Sequence, residues 1–481
     1  MRACIRCAVS LAVGSWLLTL DSSFLLAQGA VGGVSIDAEG MLRDASRAPQ
    51  DGRLQRLRAD AAVEPTGAVA LSSPLRKVSL RRLEQEVAAL HADGKPLPAD
   101  VACLAGLQQI RHVFVCPEEG DIVLAGPAEG WKGLPEGDWV GRQSGRPVLS
   151  LEDLIVALRY AFASGTVDAF FGCSIEPSDA GVRRHGEYVS RLKGLDRSRS
   201  DEILRGMEEA MGPQQILLFG APPATRFARQ MVAADYRLKR LALAHDPSPV
   251  KSVPSFLDFA SRQVRGGPQP QHRWWFVGHF DAIRETPDHL AFEFEGPGLR
   301  VDTAPATGVL AQGGPSAKPS KAATQFAEAA TRGFPELAQK IPAFAQLQNL
   351  VGLAVAAEII RQAQDIRAES ASSIAAESCP PRPDDAPPES GFTGTIWKPV
   401  HFLDVAACPI TEFAVPKQTP SLANVRIVKD RQWLFSISGG VEINAATLAD
   451  PSRRSATTGK ALGQARQTST PSRTPAQWWW D

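Results

Sequence analysis

Hydrophobic and polar positions alternate with helical and extended periods from about residue 75 onwards. In SLRRLEQEVAALHADG (79–94), apolar residues recur every three or four positions, Ser79 can cap the helix and Gly94 can end it. Two β-rich runs flank PEEG in HVFVCPEEGDIVLAGPAEGW (112–131), which predicts a β-hairpin. A further helix is expected to start at Ser150, where Ser150 and Asp153 form a capping-box pattern.

The same patterns continue through the middle of the chain. FFGCSIEP (170–177) and QQILLFGAPP (214–223) predict strands, and a helix is expected to start near Thr225. Alternating aromatic residues over 272–303 predict two or three antiparallel strands, and 317–365 has a helical pattern. We therefore predict an α/β or α+β fold in which mixed sheet elements pack against helices, as one large domain or two associated lobes with flexible termini.

Changes in composition suggest how the chain is divided. The predicted divisions are a signal peptide (1–27), a flexible mature N-terminus (28–73), a main α/β domain (74–367), a Pro-rich linker (368–392), a small strand-rich module (393–449) and a disordered basic tail (450–481).

The N-terminus is typical of an export signal. Arg2 and Arg6 precede the apolar run AVSLAVGSWLLTL (8–20), and Ala27 offers a cleavage point; a retained anchor is the alternative. We expect a periplasmic, cell-envelope or extracellular protein. No later segment is expected to span a membrane, because the most apolar one (350–360) is short and contains Glu358.

Charge and cysteine content narrow the range of partners. Cleavage after Ala27 removes two of 52 basic and one of 52 acidic residues, which leaves 50 and 51 and a net charge of −1. Such a chain has no overall field that attracts nucleic acid or anionic membranes. Five cysteines remain, an odd number, and Cys379–Cys408 is the disulfide we consider first because both flank the same late segment.

Searches for established catalytic chemistry find no match. The chain contains no G-x-S-x-G, H-E-x-x-H or G-x-G-x-x-G motif. His272 and His279 lie an odd number of residues apart, so on one strand they would face opposite sides and could not share a metal. We predict no catalytic residue, metal or cofactor.

FARQMVAADYRLKRLAL (227–243) is the most unusual charged stretch. On a helix its apolar residues form one stripe and its arginines a second, which is typical of a half-buried helix with a solvated face. Alternatively, the helix ends near Asp235 and LKRLALA forms a strand, which places a binding site at the boundary. The basic residues would then favour an anionic ligand. The candidate ligand-binding residues are Arg226, Asp235, Tyr236, Arg237, Lys239 and Arg240.

The sequence ends on three adjacent tryptophans, Trp478, Trp479 and Trp480. Exposed aromatic residues on a flexible tail could dock onto a partner in the cell envelope. The alternative is that they fold back onto the protein's own surface.

Several long blocks resemble one family. HVFVCPEEGDIVLAGPAEGW, SGRPVLSLEDLIVALR, GPQQILLFGAPPATRFARQMVAADYRLKR and PSFLDFA are similar to the planctomycete exported-protein family called domain of unknown function 1598, over roughly 75–365. The resemblance implies an extracytoplasmic protein with one large domain, and it implies no activity or catalytic residue.

Three functional hypotheses follow. The first is an exported, non-enzymatic binding or scaffold protein, since catalytic signatures are missing. The second is an atypical hydrolase or transferase with Asp235, Tyr236 and Arg237 near its site. The third is a periplasmic binder of an anionic small molecule, which a concave pocket lined by the arginines would support.

Overall fold

We describe the protein from a computed structural model. The described residues are 28–31, 34–36, 42–44, 65–134, 138–163, 170–192, 197–212, 214–223, 225–263, 272–305, 319–376, 397–403, 418–419, 423–428, 431–457, 460–469 and 477–481. The predicted signal peptide, Cys379 and Cys408 lie outside them.

Strands and helices are numbered in chain order within these residues. The strands are β1 (Gln28–Val31), β2 (Val34–Ile36), β3 (Leu42–Asp44), β4 (Ser73–Ser79), β5 (His112–Cys116), β6 (Asp121–Ala128), β7 (Trp131–Gly133), β8 (Trp139–Gly141), β9 (Phe170–Pro177), β10 (Gln214–Phe219), β11 (His272–His279), β12 (Ala282–Glu285), β13 (Ala291–Glu295), β14 (Gly298–Pro305), β15 (Gln418–Thr419), β16 (Ala423–Val428), β17 (Arg431–Asn444), β18 (Ser455–Ala456) and β19 (Trp479–Trp480). The α-helices are α1 (Leu80–Ala92), α2 (Ala99–Ala102), α3 (Leu151–Ala163), α4 (Asp179–Arg191), α5 (Ser200–Met211), α6 (Arg226–Ala242), α7 (Phe256–Gln263), α8 (Lys321–Arg332), α9 (Phe334–Lys340), α10 (Pro342–Ala376), α11 (Val400–Leu403), α12 (Ala445–Leu448) and α13 (Lys460–Gln467).

One sheet is built around the predicted hairpin. Its strand order among the described residues is β18-β12-β13-β5-β6-β4-β19. The hairpin is confirmed, because β5 and β6 pair antiparallel from His112↔Ala125 to Cys116↔Asp121. Helix α1 follows β4 directly, and the Ser79 hydroxyl accepts a hydrogen bond from the Arg82 backbone N–H, so the predicted cap is also confirmed.

The second sheet has the order β14-β11-β17-β9-β10-β15, and β16 also pairs with β17. Strand β17 is parallel to β11 and antiparallel to β9, so it lies in the middle of this sheet. A Cβ on Gly439 would lie 1.9 Å from the Trp274 carbonyl oxygen, so the glycine permits this close approach. The long strand of the predicted small strand-rich module (393–449) is therefore part of the main sheet.

Helix α10 lies in the core and contacts α3 and α6. Residues Pro342–Gln364 are long and apolar enough to cross a membrane, but they are buried inside the fold, which is typical of a core helix. The expected buried helix at 350–360 is thus confirmed. The two sheets and these helices share one apolar core, so the fold is α+β.

Two further boundaries differ from the sequence-based divisions. The first residues of the expected linker belong to α10, which continues to Ala376. The expected flexible N-terminus includes β1, β2 and β3, which form a small antiparallel sheet.

Candidate functional site

Helix α6 contains all six candidate ligand-binding residues. It begins at Arg226 as expected, where the Thr225 hydroxyl accepts from the Ala228 backbone N–H at 3.3 Å. It continues to Ala242, so the alternative of a strand after Asp235 is wrong. The solvated face is also wrong, because the helix packs against α3, α10, β9, β11 and β17 and none of its residues is fully exposed. Ion pairing allows its charged residues to be buried.

A cleft of about 250 Å³ lies where α3 and α6 begin. This volume corresponds to roughly eight water molecules, the size of a small metabolite. The cleft is lined by Leu97, Ala102, Cys103, Asp138, Trp139, Val148, Leu149, Ser150, Leu151, Glu152, Ile155, Arg226 and Arg229. Both helices thus present their positively polarised N-terminal ends to the same concave surface.

Arg226 is held between two buried carboxylates. Its guanidinium donates to Asp138 Oδ1 at 3.0 Å from Nη2, and Nη1 pairs with Asp153 Oδ2. Burial alone would lower the pKa of Arg226, but Asp153 and Asp138 raise it above its usual value. Burial raises the pKa of Asp153, and Arg226 opposes that rise. Arg226 is therefore a permanent cation in the lining of the cleft.

Arg229 lies one helical turn further along α6. Burial lowers the pKa of Arg229 to about 10, although Asp138 and Glu152 act in the opposite direction. The cation therefore persists at neutral pH, and its neighbours compensate its desolvation only in part. Glu152 Oε1 accepts from the Arg226 backbone N–H at 3.1 Å, so this carboxylate joins the two helix ends. The cleft thus offers both an arginine and a carboxylate to a ligand.

The cleft lining contains one thiol and one aliphatic hydroxyl, Cys103 and Ser150, and no histidine. Burial raises the pKa of the Cys103 thiol, which therefore remains protonated and weakly nucleophilic. Among the described residues, no three His, Cys, Asp or Glu side chains are grouped to hold a metal ion.

Asp235 and Lys239 lie away from the cleft. Lys239 Nζ donates to Asp235 Oδ2 at 2.5 Å, and both side chains are completely buried. A Cβ on Gly439 would come within 3.2 Å of Lys239 Cε, which places the lysine against the middle of the second sheet. The pair therefore belongs to the core and is closed to a ligand.

Two of the other three candidates, Arg237 and Arg240, pair with Asp246 beyond the C-terminal end of α6, and the third, Tyr236, lies beside Arg240. Arg240 donates to both carboxylate oxygens of Asp246 at 2.8 and 2.9 Å, and Arg237 Nη1 lies 2.8 Å from Asp246 Oδ2. The Arg240 guanidinium lies 5.7 Å from the centre of the buried Tyr236 ring. The six predicted residues are thus divided among three places, and only Arg226 lines the cleft.

The tryptophans at the end of the sequence lie on the protein itself. Trp478 and Trp479 are buried, Trp480 is half-buried, and β19 pairs with β4 through Trp479↔Val78. Within the predicted disordered basic tail (450–481), the described residues include α13 and β19. Strand pairing and aromatic burial hold these tryptophans against the first sheet, as the fold-back alternative expects. A partner in the cell envelope stays a prediction.

Sequence reasoning missed Asp138, Glu152 and Asp153 as parts of the site. Asp153 was expected to complete a capping box, but its Oδ2 pairs with Arg226 and its Oδ1 has no hydrogen-bond partner among the described residues. The available signal was the pair of adjacent acids that follows Ser150 at a helix start, together with arginines at the start of α6. Only the tertiary structure shows that the N-terminal ends of α3 and α6 lie at the same cleft.

The described residues form an α+β protein with a charged cleft of about 250 Å³ at the N-terminal ends of α3 and α6. A protein-family model described as a protein of unknown function (DUF1598) matches residues 173–256. The resemblance to domain of unknown function 1598 is thus confirmed over a shorter segment than expected, which starts within β9 and includes β10 and α6. No curated protein and no solved structure matches the chain.

Proposed function

We propose that this is an exported, non-enzymatic binding protein whose cleft takes a small organic anion. The observation that carries the proposal is that Arg226 and Arg229, one turn apart on α6, line the same concave surface. The pKa of Arg229 supports the proposal, because the nearby carboxylates offset only part of the effect of burial on this cation. An added anion would lower the cost of burying it. The N-terminal ends of α3 and α6 favour the same sign of charge.

The other lining groups indicate the ligand's chemistry. Glu152 offers carboxylate oxygens that can accept from a hydroxyl or ammonium group, while Leu151, Ile155 and Val148 offer apolar contacts. A short hydroxy acid or amino acid combines a carboxylate for Arg229 with a donor for Glu152. We therefore infer a ligand of this class.

The first experiment is native mass spectrometry on the protein purified from its own cell envelope. A bound small mass is expected in the unaltered protein and is expected to be lost in Arg229→Met. Arg191→Met is the matched control, because Arg191 lies on α4 with a largely exposed side chain. No bound mass, or equal retention in Arg229→Met, counts against the proposal.

Calorimetric titration with glycolate tests the ligand class directly. Arg229→Met is expected to weaken glycolate binding by at least about tenfold, because a charged hydrogen bond contributes about 1.5–3 kcal/mol. Glu152→Gln is expected to weaken glycolate but to strengthen acetate, which offers no donor to the carboxylate. The same effect on both ligands would reject the role of Glu152.

A further inference from the structure

The segment 477–481, here called the tail strand, is tied to the first sheet at several points. Ser79 N donates to the Trp478 carbonyl at 2.8 Å, and β19 extends the edge of β4. Asp481 accepts from Arg76 Nε at 2.8 Å and from Arg76 Nη2 at 3.1 Å. The Arg76 guanidinium also lies 4.7 Å from the centre of the Trp479 ring. Arg76, completely buried, therefore has its charged partner in the tail strand.

Arg76 also holds a left-handed turn. Its Nη1 donates to the Ala105 carbonyl at 2.8 Å. Leu104, Ala105 and Gly106 have φ values of 46°, 53° and 78°, so two residues with a Cβ occupy the region that favours glycine. Such a conformation persists only where surrounding contacts impose it, and the Arg76 hydrogen bond is one of these contacts.

This turn continues into the wall of the cleft. Ala102 and Cys103, immediately before it, line the cleft. After it, the Leu107 carbonyl accepts from the backbone N–H of Leu149, another lining residue, at 2.6 Å. A relaxation of the turn would therefore displace the wall on both sides.

We propose that the tail strand is a strap that regulates the cleft, because it fixes Arg76 and, through Arg76, the left-handed turn that positions the cleft wall. Loss of Asp481 leaves the buried guanidinium without its carboxylate, and the region opens so that water can reach the charge. The Ala105 carbonyl then loses its donor and the turn relaxes. Regulation of ligand binding rests on the function proposed above, and coupling is reciprocal, so the ligand in turn stabilises the docked tail strand.

The alkylation of Cys103 tests the strap without any ligand. Cys103 is buried in the cleft wall, and Cys173, buried in the second sheet, is the internal reference. The variants are Asp481→Ala and a chain truncated after Gln477, with Asp93→Asn as control because Asp93 forms an exposed ion pair. The rate of reaction with N-ethylmaleimide is measured for each cysteine by peptide mass spectrometry under native conditions.

Both variants are expected to accelerate alkylation of Cys103 about tenfold, which is an ordinary size for coupling between two sites. The rate at Cys173, and both rates in Asp93→Asn, are expected to stay unchanged. Selective acceleration below threefold, or equal acceleration of both cysteines, overturns the strap. If the truncated chain does not fold, the alkylation rate of Cys103 in Asp481→Ala alone tests the proposal. Glycolate affinity is measured on the same proteins and is expected to fall about tenfold in the variants. If the unaltered protein does not bind glycolate, the proposed ligand class is rejected. The alkylation rates of Cys103 still test whether the tail strand positions the cleft wall.

Discussion

Lys239 donates a hydrogen bond to Asp235 one helical turn earlier, and neither side chain reaches solvent. An ion pair placed in this way costs desolvation that its attraction offsets only when both partners remain. The pair therefore constrains the core even though it contacts no ligand.

Removal of one partner is expected to destabilise the fold strongly. Lys239→Met removes the cation paired with the buried Asp235 carboxylate and is expected to lower the free energy of unfolding by about 3–5 kcal/mol. The double variant with Asp235→Leu is expected to recover most of this loss. Urea unfolding measures both values. Lys340→Met, which breaks the exposed i,i+4 pair with Glu336, is the control and should cost less than about 1 kcal/mol. Equal losses in Lys239→Met and Lys340→Met would contradict this account.

The Arg226 cluster makes a prediction about pH. Arg226→Met leaves Asp138 and Asp153 buried without their cation, so stability at pH 7 should fall by about 3–5 kcal/mol. Burial already raises the pKa of Asp153, and loss of Arg226 raises it further, so the folded variant binds a proton more readily than the unfolded chain. Stability of the variant should therefore increase, relative to the unaltered protein, as pH falls from 7 to 5. Parallel pH profiles for the two proteins would reject this coupling.

His272 should weaken the fold in acid. Burial lowers the pKa of His272 to about 4, and its Nε2 lies 3.2 Å from the Ser320 hydroxyl oxygen. The unfolded chain binds this proton from about pH 6.5 downwards and the folded protein does not, so stability is lost between pH 6.5 and 4. The loss is about 3 kcal/mol. His272→Gln should abolish this part of the pH dependence, measured by urea unfolding at several pH values. His289→Gln, at a half-exposed histidine, should retain it.

Two glycines should respond oppositely to alanine. A Cβ on Gly141 would lie 1.8 Å from Glu129 Oε1, which also accepts from Gln108 at 2.7 Å, so Gly141→Ala should destabilise by more than about 1 kcal/mol. Gly186 lies within α4 and has open space around its Cβ position, so Gly186→Ala should stabilise by about 0.5–1 kcal/mol. Thermal midpoints of the two variants should therefore move in opposite directions, and a common direction would contradict the packing around Gly141.

Local patterns predicted the elements well where periodicity and capping agreed. The helix after Ser79, the hairpin around PEEG and the start of α6 near Thr225 all follow from nearest-neighbour chemistry. The sequence predicts that the charged stripe of α6 faces solvent, whereas in the structure its arginine side chains are mostly buried in ion pairs. Two carboxylates from distant segments, Asp138 and Asp153, made burial of Arg226 possible.

The sequence alone determined the mixed helix and strand content, the buried character of 350–360 and the family resemblance at 173–256, because each depends on a contiguous run of residues. Tertiary structure alone decided that β17 completes the main sheet, that the tryptophans pack on β4 and that α3 and α6 begin at one cleft. These relationships join segments up to about 400 positions apart, such as Arg76 and Asp481. Local periodicity carries no information about such pairs, since the side chains that neutralise or cover a residue come from wherever the chain returns.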